Sequence, residues 1–235
     1  MSAGVDVRVD ALGSALRSDL GDHALWFRPR RYPNSLALSI IDAIFSTGAR
    51  YATVENILDR YIAYRDGQGG DATGDGAPEL LATFAEVGSS GAWAHDIGNR
   101  RPTSTTPGAP LKAEAVIDAA TRLLAAGIAT SEDLRTAADS DALHVVWSVW
   151  REVPGQRSGF TWAYLQLLVG ISALQVDGVV AAYLARVLDV SVDDVDAGLV
   201  SELIAEVARS NEWDERDIPM AIWRAEQRAR SSGSR

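Results

Sequence analysis

An all-α fold is what this sequence predicts, and three observations predict it. Apolar residues recur at helical spacing along most of the chain. No run alternates apolar and polar side chains as a half-buried strand does. The gaps between apolar stripes hold the Gly, Pro, Ser, Thr and Asp that cap and stop helices. With 235 residues, 47% of them hydrophobic, the chain has material for one compact domain or two intimate subdomains. No internal repeat is visible.

Taken in order, residues 35–65 carry two stripes. Leu38, Ile41, Ile44 and Phe45 make the first, and Val54, Ile57, Leu58 and Ile62 make the second. A break near Thr47 and Gly48 separates them, with Thr53 a candidate cap for the second helix. The glycine-rich, acidic stretch 66–78 reads as a flexible loop or linker, and a helix follows over 78–87. Residues 88–110, with Trp93, His95 and Asp96, read as a long polar loop. A helix over 111–126 turns Ala113, Val116, Ile117, Ala120, Leu123 and Leu124 inward, and Ser131 caps a short one. Residues 141–152 put Leu143, Val146, Trp147 and Trp150 on one face. The turn VPGQRSG leads into 160–169, apolar enough to be buried on nearly all sides. There follow a helix over 176–188, one capped by Ser191 that ends near Ser210, and a last one started by Asp217 and Pro219.

Composition removes several function classes. There is no cysteine, which excludes disulfides and a Cys-ligated zinc or iron–sulfur centre. His23, His95 and His144 lie far apart, without metal-ligand spacing, and no metal is expected. No apolar leader core or membrane-length apolar run is present, so a soluble cytoplasmic protein is expected, without membrane contact. A net charge of −10 argues against coating nucleic acid indiscriminately, yet leaves room for a local basic groove. Arg28, Arg30 and Arg31 are read as a DNA-backbone contact in preference to a solvated basic turn. Asp193, Asp194 and Asp196 open a helix, where the helix dipole suffices to explain them.

The strongest local signal runs through 143–188. A Val153-Pro154-Gly155 turn ends one helix, an apolar helix follows over 160–169, and Val176-Asp177-Gly178-Val179-Val180 opens the next, with Arg186 downstream. Upstream stand Leu111-Lys112-Ala113, Val116, Leu123, Leu124, Gly127 and Ser131-Glu132-Asp133-Leu134, and before them the helix pair over 38–62. In order and spacing, residues 35–190 resemble the helix-hairpin-helix DNA glycosylase superfamily. The resemblance implies a two-subdomain fold: a six-helix barrel domain over 35–170 that contains the hairpin, and a second helical domain from 1–34 with 171–235. It implies a DNA N-glycosylase of base excision repair, a nucleoid-associated monomer acting on double-stranded DNA in the cleft between the domains. No cofactor is implied beyond a monovalent cation at the hairpin.

The resemblance also assigns residues. Asp177 is the catalytic carboxylate, at a helix start where the dipole keeps it ionised. Val153, Pro154, Gly155, Gln156, Arg157, Ser158 and Gly159 form the DNA-binding hairpin, joined by Arg50, because backbone N–H groups of such a turn can hold a phosphate. Trp162, Tyr164, Tyr51 and Trp26 are the base-pocket aromatics for a flipped nucleotide. Lys112, the only lysine, lies outside the family's nucleophile position, which falls at Gly159 or its neighbours, so a monofunctional enzyme is implied. Two departures stand out. The family's Pro-Gly-x-Gly is here Pro154-Gly155-Gln156-Arg157-Ser158-Gly159, and Phe45-Ser46-Thr47-Gly48-Ala49-Arg50 replaces the gap-filling motif of the opening helix. Two other functions fit the residues: a non-catalytic helix-hairpin-helix DNA-binding protein, and an enzyme acting on a free nucleoside or other small molecule.

Overall fold

The computed structural model describes residues 3–26, 28, 30–140, 142–157, 159–171 and 178–232. Among them are twelve α-helices and no strand; an isolated β-bridge pairs Pro102 with Leu111. The chain divides into two compact units, Arg30–Ile171 and Met1–Pro29 with Ser172–Arg235.

The larger unit is built around α2 (Leu36–Phe45), all ten of whose residues are buried. Ser35 caps it, its hydroxyl accepting from the Leu38 N–H at 3.2 Å. The other helices of this unit are α3 (Tyr51–Gly67), α4 (Ala77–Val87), α5 (Ser90–Asp96), α6 (Lys112–Ala125), α7 (Ser131–Ala138), α8 (Leu143–Arg151) and α9 (Phe160–Leu168). α3, α4, α6 and α9 all pack on α2. A helix enclosed on every side reads as apolar all round, as LALSIIDAIF does.

Several loops and caps depart from expectation. The stretch 66–78 is pinned, not a free linker: Asp75 is buried and accepts from the Tyr61 hydroxyl (2.8 Å) and Arg65 Nε (2.7 Å), while its backbone carbonyl accepts from Ala37 N and Ser35 Oγ. Within 88–110 lies α5, capped by Ser89. It buries Trp93, whose ring stacks on Phe84 at 4.6 Å and whose Nε1 donates to Thr83 Oγ1 at 3.0 Å. A Cβ on Gly98 would lie 2.7 Å from that indole, so only glycine fits there. Thr53 lies inside α3, which starts at Tyr51. Thr130, not Ser131, caps α7, exchanging bonds with Asp133 in a capping box. Leu124 is exposed, and Trp147 only half buried.

The smaller unit packs α1 (Ala3–Leu20), α10 (Val179–Leu188), α11 (Ala197–Asn211) and α12 (Asp217–Ser232). α1, in the 1–34 segment expected to be part of a helical domain, buries Val9, Leu12 and Leu16 along one stripe. Ser191 caps only a 3₁₀ turn, Val192–Asp194; Asp196 caps α11 by accepting from Leu199 N at 2.8 Å. No helix among the described residues is long and apolar enough to cross a membrane.

Candidate nucleic-acid interface

The turn between α8 and α9 is a tight hairpin. Val153 is buried and its carbonyl accepts from Gln156 N at 3.0 Å. Gly155 (φ 80°) and Gly159 (φ 79°) take left-handed conformations that glycine adopts without strain. Gly159 is the N-cap of α9 and has no side chain with which to cap that helix. The N-terminal amides of a helix can donate to an anion. The Trp147 ring lies over Gly159, and the Arg151 guanidinium sits 5.5 Å from the centroid of that ring.

The 99–111 loop abuts the hairpin, and the α2–α3 turn meets that loop. A Cβ on Gly155 would stand 3.0 Å from Thr103 Cβ, so the turn and the 99–111 loop are in close contact. That loop is held by Thr103 N to Pro110 O (2.8 Å) and Lys112 N to Arg101 O (2.9 Å). Arg101 Nη1 reaches Gly48 O at 3.4 Å, in the turn between α2 and α3. Beneath, the buried Lys112 donates from Nζ to Phe45 O (3.1 Å) and Thr47 O (2.5 Å), closing the C-terminal end of α2. Burial, with Arg101 nearby, lowers its pKa to about 8.

These loops and the end of α8 carry Arg50, Arg100, Arg101, Arg151 and Arg157, all exposed. Among the described residues none of the five takes part in an ion pair, whereas Arg30, Arg65, Arg122 and Arg135 of the same unit pair with Asp59, Asp75, Asp118 and Glu132. In the basic turn, Arg28 is bonded to Asp217, and Arg30 is held by Asp59 and Glu55.

Of the aromatics expected to form one base pocket, the three in the larger unit fall into two groups. Trp162 is buried against Trp147 and Trp150, with centroids 5.8 and 6.1 Å away. Trp26 belongs to the smaller unit. Tyr51 and Tyr164 converge on Asp42, in the middle of α2. Gln156 is buried, its Nε2 donating to Pro154 O at 2.9 Å, so it does not present its side chain to a partner. Asp177 and Ser158 lie outside the described residues. Gly178, next to Asp177 in sequence, is the left-handed N-cap of α10.

Asp42 went unremarked in the sequence, although an aspartate inside an apolar stripe is a signal. It is fully buried and accepts from Ser46 Oγ (2.7 Å), Tyr51 OH (3.2 Å) and Tyr32 OH (3.3 Å), with Tyr164 also bonding to it. Burial raises its pKa from 3.8 to about 6 against the pull of those hydroxyls. Tyr51 OH in turn accepts from Arg30 N at 3.0 Å, tying α2, α3, α9 and the 30–32 segment together. No group of three or more His, Asp or Glu able to hold a metal occurs among the described residues.

A family model described as "Domain of unknown function (DUF8548)" matches residues 10–227. No curated protein and no solved structure matches the chain.

Proposed function

The chain belongs to the DUF8548 family, and we propose that it is a monofunctional DNA N-glycosylase that holds the phosphate backbone of duplex DNA at the α8–α9 hairpin. One observation carries the reading: in a chain of net charge −10, five exposed arginines without ion-pair partners among the described residues lie on the hairpin, the 99–111 loop that abuts it, the α2–α3 turn that this loop reaches and the end of α8. Carboxylates are abundant enough to neutralise arginines elsewhere, and a cluster left unpaired suits an external polyanion. The glycine-capped N-terminus of α9 would bring backbone N–H groups and the positive end of the helix dipole to a phosphate without side-chain charge. Asp177, by the resemblance to helix-hairpin-helix glycosylases, is the carboxylate that acts. It stabilises the oxocarbenium-like sugar or takes a proton from water as the C1′–N bond breaks. The base leaves with the bonding electrons and is protonated, and water oxygen remains on C1′.

The test is incubation with labelled duplexes bearing alkylated, deaminated, oxidised or mismatched bases, then alkaline cleavage at abasic sites, with Asp177→Asn alongside. A product lost in the variant is the expected result; no product on any duplex defeats the catalytic part.

A second reading, a hairpin protein that binds DNA without cutting it, is favoured by the burial of Trp162 and Tyr164, which are engaged in packing and in the Asp42 network. Salt-sensitive binding without base release, unchanged in Asp177→Asn, would select it.

A further inference from the structure

We propose that Trp147 is a stacking platform for an unpaired nucleotide of the DNA strand held at the hairpin, so that gapped duplexes are preferred to intact ones. The inference rests on the reading that the hairpin meets DNA, and adds a contact to a base. Sequence periodicity puts Trp147 on the core face of α8 with Val146 and Trp150. Those two are buried, yet Trp147 stays only half buried. Three indoles run from core to surface. Trp150 is fully buried, its Nε1 donating to Thr161 Oγ1 at 3.1 Å. Trp162, also buried, lies 6.1 Å from it, and Trp147 lies 5.8 Å from Trp162 at a 32° tilt. A ring backed in this way has little freedom to lose when a partner stacks on it. Gly159 lies against the ring edge, where a Cβ would stand 3.5 Å from Trp147 Cη2, and the glycine adds no side chain to cover the ring.

Charge decides what lies on that ring. Arg151, one turn along α8, is exposed and holds its guanidinium 5.5 Å from the ring centroid. Arg157 is exposed two residues before Gly159. Neither takes part in an ion pair among the described residues, in a chain with 32 carboxylates. An apolar peptide would meet two uncompensated cations here, and a simple anion would leave the indole unused. A nucleotide offers a flat π-face and a negative charge together. An exposed cation–π contact is weaker than stacking of a base on an aromatic ring, so the base takes the indole and Arg151 turns to the phosphate. In an intact duplex the faces of internal bases are covered by their neighbours, so only a base out of the stack reaches the ring.

Fluorescence anisotropy of the full chain on an intact duplex and on the same duplex with a short single-stranded gap tests it. The parent is expected to bind the gapped DNA about tenfold more tightly. Trp147→Leu, which keeps apolar bulk against Trp162, is expected to abolish that preference and leave affinity for the intact duplex unchanged. Trp147→Phe, which keeps a π-face, should retain most of it. Each preference is a ratio taken within one variant, so any loss of folded protein cancels. A base analogue that dims on stacking, placed in the gap, should dim with the parent and not with Trp147→Leu. Binding to both DNAs without preference, or a preference that survives Trp147→Leu, overturns this proposal and leaves the hairpin reading standing. Failure to bind either DNA at low salt overturns both.

Discussion

At the scale of single residues, Asp42 and Lys112 are buried ionisable groups that set terms for the larger unit. Asp42 has its pKa raised from 3.8 to about 6 by burial. The folded state thus holds a proton that the unfolded state has lost between about pH 4 and 6, and stability falls as pH rises through that window. The full penalty stands above pH 6 and is worth ~3 kcal/mol. Asp42→Asn removes the ionisation. Its stability relative to the parent is expected to improve steadily from pH 4 to 6.5, read by urea unfolding at each pH; a constant difference would show that Asp42 does not titrate in the fold. Lys112 donates to two carbonyls at the end of α2. Lys112→Met keeps the bulk and strands those acceptors, so we expect a loss of about 1–3 kcal/mol in the same assay. Arg50 and Arg101 lie on the turn and loop beside them, so DNA affinity is expected to fall as well. Unchanged stability in Lys112→Met would mean that water replaces the ammonium.

At the scale of elements, the hairpin depends on glycine for two separate reasons. Gly155 has φ 80°, and a Cβ there would also press on Thr103 Cβ at 3.0 Å. Gly127 has φ 83° with nothing within 4 Å. Gly127→Ala is expected to cost about 1 kcal/mol of backbone strain, and Gly155→Ala about 2–3 kcal/mol, because the 99–111 loop must also move. Equal losses in thermal unfolding would count against the loop contact. Long helices with one clear stripe, such as α6 and α12, could be read from sequence because burial on one face imposes a period. α9 could be read from its uniform apolarity. The loops could not. α5 is only seven residues long and flanked by Gly and Ser, and its anchor, Trp93, finds Phe84 and Thr83 through tertiary contact. The 66–78 turn looked free because the residues that hold Asp75 lie on α3 and before α2. For the same reason Tyr51 and Tyr164 were singled out without Asp42, the residue that joins them: the pairing spans three helices, and no local spacing encodes it.

At the scale of the whole molecule, net charge and local charge point in opposite directions, and a salt titration separates them. The chain's total of −10 repels a polyanion at a distance, so long-range steering toward DNA is weak. Contact at the hairpin acts within a Debye length, about 10 Å at 0.1 M salt, where five exposed arginines that make no ion pair among the described residues outnumber Glu152, the carboxylate at the hairpin itself. Raising salt screens both effects, but release of counterions from the DNA depends on the phosphates actually neutralised. If most of the five arginines engage, log K against log salt should fall with a slope of about −4. Each arginine replaced should reduce that slope by about 1, at any duplex sequence. Arg157→Ala and Arg101→Ala are therefore expected to give parallel, additive losses, measured by fluorescence anisotropy on an undamaged duplex. Arg122→Ala, which removes a guanidinium already held by Asp118, is expected to leave the slope unchanged. A slope near zero in the parent chain would mean that the arginine cluster meets something other than a phosphate backbone. A slope lowered equally by Arg122→Ala would mean that overall charge, and not this surface, governs association.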